Sequence, residues 1–204
     1  MDVEIPAGSV NLPGMLEIPD GARGLVIFAH GSGSSRFSKR NNYVARVLRD
    51  NGMATLLFDL LTEDEDRIYE NRFNIRLIAD RLVLATNWAV KQNPNLAIGL
   101  FGSSTGSAAA LVAATELKEK VSAVVSRGGR PDLAMDALQE VTAPTLLIVG
   151  GADYGIIELN QKAYANLASE KKLTLVPNAT HLFEEPGALE EVARLAAEWF
   201  RRYL

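Results

Sequence analysis

The chain has 204 residues, of which 48% are hydrophobic and 23% are charged, a balance typical of a globular protein with a sizeable core. Its 25 acidic and 21 basic residues give a formal net charge of -4, which argues against nucleic acid or an anionic membrane as a partner. Cysteine is absent, so disulfides, thiolate metal sites and a cysteine nucleophile are excluded.

The N-terminus carries an acid, Asp2, and no apolar run of signal-peptide length, and no apolar stretch reaches membrane-spanning length. We therefore expect a cytoplasmic protein whose partner is a small molecule rather than nucleic acid or a membrane. No repeat or linker divides the sequence, so we expect residues 1–204 to form a single domain. The sequence leaves both a monomer and a homodimer open.

The predicted strands begin with residues 3–18, where prolines and glycines interrupt short apolar stretches and favour one or two antiparallel edge strands. Short, continuous apolar runs follow, and such runs are typical of parallel strands that are buried on both faces. These runs cover residues 25–29, 54–58, 96–101, 121–125, 145–149 and 173–176.

Helical patterns lie between most of these strands. One apolar stripe stops at an Asn-Gly pair at residues 51–52, a typical helix C-cap, and longer stripes cover residues 75–89 and 189–203. The acidic run at residues 63–66 is interpreted as a solvated loop. Alternation of strands and helices predicts an α/β fold, with a mostly parallel sheet covered by helices on both faces.

Polar residues with catalytic potential follow three of the predicted strands. Ser104, Asp153 and His181 each come shortly after a strand ends. In open parallel sheets, function collects in the loops beyond the carboxyl ends of the strands. We therefore expect these three side chains to lie at one edge of the sheet.

Residues 102–106 read Gly-Ser-Ser-Thr-Gly and fit the nucleophile-elbow pattern, in which a serine occupies a tight turn between a strand and a helix. Small residues follow, so Ser104 would lie at a helix N-terminus, where the dipole favours an oxyanion. The pattern alone is weak, and an ordinary glycine-containing turn is the alternative.

A serine hydroxyl needs an imidazole to take its proton and a carboxylate to orient that imidazole. The only histidines are His30 and His181, and the order Ser104, Asp153, His181 is that of α/β hydrolases. His30 is the alternative base, although the glycine-rich turn after it favours a role in fixing that loop through hydrogen bonds.

Asp153 follows a Gly-Gly pair that lets the backbone turn at the sheet edge. Asp59 and Asp132 are alternative acids, which we interpret instead as a turn residue and a helix cap. A tetrahedral intermediate also needs N–H donors for its oxyanion. The expected pair is Thr105 with Ser32, and Gly33 is the alternative to Ser32.

The segment 126–144 has room for a loop and one short helix, so we expect no cap domain and an open site suited to small esters. The residues expected to contact substrate are Phe37, Arg127, Tyr154 and Leu182, with Leu61 and Phe183 as further wall candidates. Arg127 and Arg130 can grip a substrate carboxylate or can pair with Asp132 or the acidic run.

Nearly the whole chain, from residues 25–33 to the final helix, resembles α/β hydrolases of the dienelactone-hydrolase-like group. The matching stretches are residues 101–106, 126–132, 149–153 and 179–187. The resemblance implies an α/β-hydrolase fold, the triad Ser104, Asp153 and His181, and no metal or organic cofactor. The chain departs from the group's pattern at Phe37, Asn74, Arg76 and Asn178. These departures are compatible with an engineered variant of a natural scaffold.

The sequence thus predicts a serine hydrolase that cleaves small carboxylic esters or thioesters through an acyl-enzyme on Ser104. His181 would be the general base and Asp153 the orienting acid. The alternative is an engineered or non-catalytic hydrolase-fold protein, whose serine is reactive or whose site binds a ligand but which has little turnover.

Overall fold

The computed structural model describes residues 1–204, which form one eight-stranded sheet with six α-helices around it. The strands are β1 (Asp2–Ala7), β2 (Val10–Glu17), β3 (Gly24–Ala29), β4 (Ala54–Phe58), β5 (Ala97–Ser103), β6 (Val121–Arg127), β7 (Thr145–Gly150) and β8 (Lys171–Val176). The helices are α1 (Lys39–Asp50), α2 (Glu63–Asp66), α3 (Ile75–Gln92), α4 (Thr105–Leu117), α5 (Tyr154–Asn166) and α6 (Ala188–Tyr203). Three 3₁₀ segments cover Tyr69–Phe73, Lys118–Lys120 and Pro131–Glu140.

The strand order is β1-β2-β4-β3-β5-β6-β7-β8. β2 pairs antiparallel with β1 and with β4, and all the remaining neighbours are parallel. The predicted mostly parallel α/β sheet is therefore confirmed. The prediction of one or two antiparallel edge strands in residues 3–18 is met by β1 and β2, of which only β1 is at the edge, because β4 pairs with the other side of β2.

Side chains of the central strands alternate between two apolar layers, as the two-residue period of a strand requires. In β3, Leu25 and Ile27 belong to the layer that includes side chains of α3 and α4, whereas Val26 and Phe28 belong to the layer under α1 and α6. All four side chains are buried. Burial on both faces explains why these strands are continuous apolar runs in the sequence.

The acidic run is a short helix rather than the predicted loop. The Thr62 hydroxyl accepts a hydrogen bond from the Glu65 N–H, and the Glu65 carboxylate accepts one from the Thr62 N–H, so the two residues form a capping box. Glu65 also lies 2.6 Å from the guanidinium of Arg81. These partners order the run, and the prediction of a solvated loop was wrong.

The position of β3 determines where a site can form. β3 lies between β4 and β5: the chain passes from β3 to β4 on one side, and from β4 it returns across β3 to β5 on the other side. Such a reversal opens a crevice beyond the carboxyl ends of the strands. The segment between β6 and β7 contains only the 3₁₀ segment Pro131–Glu140, and no cap domain covers the crevice. Each helix is too short or too polar to cross a lipid bilayer.

Candidate active site

Ser104 occupies the turn between β5 and α4 with φ 51° and ψ -120°, a backbone conformation that non-glycine residues rarely adopt. Such strain persists only where neighbouring contacts hold it. The Ser104 N–H donates to the carbonyl of Arg127 at 3.2 Å, and the Ser104 carbonyl accepts from the N–H groups of Ser107 and Arg130, both at 3.1 Å. The turn thus holds Ser104 in one orientation at the sheet edge.

Gly106 allows this turn to pack against the end of β3. A Cβ at Gly106 would lie 2.2 Å from the carbonyl oxygen of Ala29 and 2.5 Å from that of His30. No side chain fits at those distances, so the first turn of α4 can approach β3 only with glycine here. The close approach brings Ser104 beside the loop that follows β3, where Gly31 lies.

Asp153 and His181 form a hydrogen-bonded pair although 28 residues separate them. Asp153 follows β7, His181 follows β8, and the parallel pairing of these strands places both at the same edge. The Nδ1 atom of His181 lies 2.8 Å from Oδ2 of Asp153. A carboxylate that accepts from Nδ1–H leaves Nε2 unprotonated in the neutral ring, the tautomer that a general base requires.

Ser104 and His181 line one cavity of about 250 Å³, together with Leu182 and Arg127. The cavity is bounded by the loops after β3, β5, β6 and β8. No hydrogen bond joins the Ser104 hydroxyl to the imidazole. In free enzymes this contact is often long and shortens only when substrate binds.

The two predicted oxyanion donors contact each other. The Ser32 N–H donates to the hydroxyl of Thr105 at 2.9 Å, whereas the backbone N–H of Thr105 and that of Gly33 have no acceptor in the protein. Thr105 is the first residue of α4, where an intrahelical acceptor is not available. The Thr105 N–H is therefore free to bind a substrate oxygen, and Ser32 can do so only by sharing or releasing its bond to the hydroxyl.

The alternative candidates from the sequence have other partners. His30 is buried, its Nε2 accepts from the Leu60 N–H at 3.1 Å and its Nδ1 lies 2.9 Å from the Gly31 carbonyl, so it fixes the loop as predicted. Burial lowers the pKa of His30 below its usual value of 6.5. Because both nitrogens face backbone groups, neither is free to take a proton from a serine.

The alternative acids pair with arginines. Asp59 accepts a hydrogen bond from the Arg36 N–H at 2.6 Å and also pairs with its guanidinium. Asp132 binds Arg130 through both carboxylate oxygens at 2.8 Å, which raises the pKa of that guanidinium. Neither aspartate bonds to a histidine, so Asp153 alone of the three orients an imidazole.

The residues expected to contact substrate fall into two groups. Leu182 and Arg127 line the cavity beside Ser104. Phe37 and Tyr154 do not, and they are 63% and 75% exposed. The Phe37 ring packs under the Arg36 guanidinium at 4.2 Å and borders a neighbouring cavity. Of the further wall candidates, Phe183 is buried and Leu61 borders the neighbouring cavity.

The structure reveals a polar cluster that the sequence did not indicate. Asn41, in the first turn of α1, is buried, and its Oδ1 accepts from the Ser103 hydroxyl at 3.0 Å and from Nη2 of Arg127 at 3.3 Å. Arg127 is 6% exposed, and burial, with the charge of Arg40 nearby, lowers its pKa to about 10. Asn41 lies 62 residues from Ser103 and 86 from Arg127, so no local sequence pattern could predict the cluster.

Comparisons with known proteins agree with this fold. Residues 12–204 match the model of the dienelactone hydrolase family. A dienelactone hydrolase from Anabaena variabilis ATCC 29413 is 56% identical, with a TM-score of 0.97 over 100% of this chain and 97% of that one. Est1E from Butyrivibrio proteoclasticus is 17% identical, with a TM-score of 0.85 over 98% of both chains, and therefore shares the fold.

Two curated relatives come from Mycobacterium tuberculosis, strains CDC 1551 / Oshkosh and ATCC 25618 / H37Rv, and their names provisionally describe a phosphoribosyl transferase. Each is 57% identical over 205 residues, which is 100% of this chain but 46% of the relative. The chain thus spans about half the length of these relatives. Given the family match over nearly its full length and the close structural likeness to the Anabaena protein, the chain belongs to the dienelactone hydrolase family.

Proposed function

We propose that the protein is a serine hydrolase that cleaves small carboxylic esters or thioesters through an acyl-enzyme on Ser104. The observation that carries the proposal is the 2.8 Å bond between Asp153 and Nδ1 of His181, at a cavity that Ser104 also lines. An imidazole held in this tautomer can act as the base for a serine hydroxyl that a strained turn presents at the same cavity.

In the acylation step, Ser104 Oγ attacks the carbonyl carbon while Nε2 of His181 takes the hydroxyl proton. The Asp153 carboxylate stabilises the imidazolium that forms. The N–H of Thr105, with that of Ser32 or Gly33, donates to the oxyanion. When the bond to the alcohol or thiol breaks, the imidazolium returns its proton to the leaving group.

In the deacylation step, His181 takes a proton from water, and the resulting hydroxide attacks the acyl carbon. The bond to Ser104 Oγ breaks, and the proton returns to that oxygen. The products are a carboxylic acid and the regenerated enzyme. No metal or organic cofactor takes part in either step.

The cavity also supports a preference for small substrates. Its volume of about 250 Å³ lies near the lower end of the range of volumes found for small-molecule binding sites. Leu182 and Arg127 would contact the substrate inside it, whereas Phe37 and Tyr154 would contact only a group that extends past the rim. Phosphoribosyl transfer is not a second candidate function. The name applies to the whole mycobacterial relatives, and this chain matches only 46% of their length.

The test compares the hydrolysis of 4-nitrophenyl acetate, 4-nitrophenyl butyrate and a short acyl thioester by the parent protein and by the Ser104→Ala and His181→Ala variants. We expect each variant to lower kcat/KM by about 10³-fold or more, because triad residues act as a unit. Ser122→Ala, in β6 and away from the site, is the matched control. Circular dichroism should report an unchanged fold.

Two outcomes would contradict the proposal. A loss of less than tenfold in both variants would mean that the hydrolysis does not use this pair. A stoichiometric burst of 4-nitrophenol without steady turnover would favour the alternative, a protein with a reactive serine that does not deacylate.

A further inference from the structure

The proposed reaction uses groups from two separate segments of the chain. The nucleophile Ser104 and one oxyanion donor, Thr105, lie in the turn after β5, whereas the other donor, Ser32 or Gly33, lies in residues 30–38, the loop that connects β3 to α1. Both donors must reach the same oxygen, so the loop and the turn have to be held at a fixed distance. A misplacement of about 1 Å can cost about 100-fold in rate.

Two contacts hold the beginning of this loop against the turn. The Ser32 N–H donates to the Thr105 hydroxyl at 2.9 Å. A Cβ at Gly31 would lie 3.2 Å from the Cβ of Ser104, so the two segments are already in close contact there. No hydrogen bond joins the end of the loop, residues 34–38, to the turn at residues 102–106. The end of the loop therefore needs another anchor.

The first turn of α1 is firmly bonded to the end of the loop. Ser38 caps this helix, and its hydroxyl accepts from the Asn41 N–H at 3.3 Å. Nδ2 of Asn42 donates to the carbonyls of Arg36 and Ser38, at 2.8 Å and 2.9 Å. A shift of the first turn of α1 would therefore move the end of the loop with it.

Asn41 connects this first turn of α1 to the segment that carries the nucleophile. Its buried Oδ1 accepts from the hydroxyl of Ser103, the residue directly before Ser104, at 3.0 Å. The same oxygen accepts from Nη2 of Arg127 at 3.3 Å, and the Arg127 carbonyl accepts from the Ser104 N–H at 3.2 Å. One amide oxygen thus binds the side chains of two residues that hold Ser104 in place.

The need of a buried arginine for an acceptor does not account for all of these contacts. The bond to Asn41 is the hydrogen bond that the Arg127 guanidinium makes to the protein, and its Nε is buried without an acceptor. That need would be met without the second bond, from Ser103. Asn41 and Ser103 also line the cavity that contains Ser104, where a small shift alters the site directly.

We infer that Asn41 is a positioning residue, which acts through Ser103 and Arg127 to hold the first turn of α1, and with it the loop after β3, against the turn that carries Ser104. The inference rests on the proposed function for the reaction that this geometry serves. Asn41 itself has no hydrogen bond to Ser104 or to His181. Its loss should lower kcat more than it changes KM, because contacts that align the oxyanion donors act mainly in the transition state.

The first test uses Asn41→Leu, which is similar in size to the parent residue but cannot accept a hydrogen bond. With 4-nitrophenyl butyrate we expect kcat to fall by about tenfold or more and KM to change by less than about threefold. The Tm should also fall, because Ser103 and Arg127 lose a buried acceptor. An unchanged kcat with a lower Tm would overturn the inference, since Asn41 would then serve only the stability of the fold.

Thr145→Val is the matched control for lost stability. Thr145 is buried at the amino end of β7, away from the site, and its hydroxyl donates to the Ala143 carbonyl at 2.9 Å. We expect this variant to lower the Tm and to leave kcat unchanged.

The conservative variant Asn41→Asp tests whether the acceptor oxygen is what matters. A carboxylate has the same shape as the amide, accepts from Ser103 and Arg127, and forms a charge-assisted bond to the guanidinium. We expect Asn41→Asp to retain kcat within about threefold of the parent value, because both hydrogen bonds persist. A loss as large as that in Asn41→Leu would contradict the inference.

A double-variant cycle tests whether Asn41 acts through Ser103. Ser103→Ala removes only the 3.0 Å bond to Asn41, and we expect it to lower kcat by about threefold or more. Adding Asn41→Leu to Ser103→Ala should give the same kcat as Asn41→Leu alone, because the shared bond can be lost only once. An unchanged kcat in Ser103→Ala would overturn the inference. If Asn41→Leu does not fold, Ser103→Ala and Asn41→Asp still provide the comparison.

Hydrogen exchange measured by mass spectrometry provides a test that does not depend on turnover. In Asn41→Leu we expect faster amide exchange in peptides that cover residues 30–38 and 102–108, and no such change in Thr145→Val. Faster exchange in both peptides without hydrolysis by the parent protein would support the positioning contact and contradict the proposed function. Hydrolysis by the parent protein with unchanged exchange and unchanged kcat in Asn41→Leu would contradict the inference alone, so the two failures are distinguishable.

Discussion

The backbone N–H of Ser32 donates a 2.9 Å hydrogen bond to the hydroxyl of Thr105 and so joins the loop after β3 to the first residue of α4. We expect Thr105→Val to lower kcat at least tenfold with little change in KM, because the loop would lose the bond that positions its N–H groups for the oxyanion, and oxyanion contacts act mainly in the transition state. Thr105→Ser keeps the hydroxyl and should restore most of the activity. An unchanged or increased kcat in Thr105→Val would instead mean that the hydroxyl competes with substrate for the Ser32 N–H.

The bond between Asp153 and His181 predicts the effect of an isosteric change. In Asp153→Asn the amide can no longer hold the same tautomer of the imidazole, and we expect kcat to fall by a factor on the order of 10⁴. Asp59→Asn and Asp132→Asn are matched controls, because each alters an aspartate that pairs with arginine rather than histidine. Initial rates with 4-nitrophenyl butyrate measure all three. A larger loss in either control than in Asp153→Asn would refute the assignment of the acid.

The close approach of α4 to β3 predicts a large difference between two glycine substitutions. Gly106→Ala would place a Cβ 2.2 Å from the Ala29 carbonyl, and we expect it to destabilise the protein by at least about 1–3 kcal/mol. At Gly155, in α5, an added Cβ would have no atom within 4 Å apart from its chain neighbours and the backbone of its own helix, so Gly155→Ala should stabilise the protein by up to about 1 kcal/mol. Urea unfolding measures both, and equal stabilities would contradict this packing of α4 against β3.

Burial of His30 predicts a stability that depends on pH. Because its pKa is lowered in the folded protein, the unfolded chain binds more protons below pH 6.5. The stabilising contribution is therefore complete above pH 6.5 and is lost as the pH falls towards the folded pKa, by at most about 1.4 kcal/mol per pH unit. The nearby charges of Asp59 and Asp66 raise the pKa and oppose part of this effect.

Urea unfolding between pH 7.5 and 5.0 measures the slope for the parent protein and for His30→Gln. All other ionisable groups are present in both proteins, so the difference between the two slopes reports His30. Glu65, whose pKa is lowered from 4.5 by hydrogen bonds to Thr62 and Arg81, contributes only at lower pH. If the free energy of unfolding changed with pH by the same amount in both proteins, His30 would be excluded as the source of the pH dependence.

Much of the fold could be predicted because it depends on local patterns. The continuous apolar runs marked β3 to β8, and the Asn-Gly pair after residue 50 marked the end of α1. The pairing of Asp153 with His181 followed from the rule that parallel strands bring their carboxyl ends to one edge. Asn178 has φ 60°, a backbone conformation that asparagine tolerates, which explains how it can depart from the group's pattern there.

The features that could not be predicted depend on contacts between distant residues. The sequence offered Arg127 and Arg130 as equivalent candidates, but Arg130 pairs with Asp132, whereas Arg127 lies buried against Asn41. The helix at the acidic run is different, because its capping box joins Thr62 and Glu65, a local pattern that predicts a helix start and not a loop. The exposure of Phe37 and Tyr154 depends on how the loops fold over the site.

The most direct test of the account is intact-mass spectrometry after exposure to a small fluorophosphonate, in which an activated serine oxygen attacks phosphorus and displaces fluoride. The parent protein and Ser104→Ala are treated in parallel, with Ser122→Ala as the control for an unrelated serine. We predict one adduct per chain on the parent protein and on Ser122→Ala and none on Ser104→Ala. The same adduct on Ser104→Ala, or no adduct on any of the three, would contradict the assignment of Ser104 as the activated nucleophile.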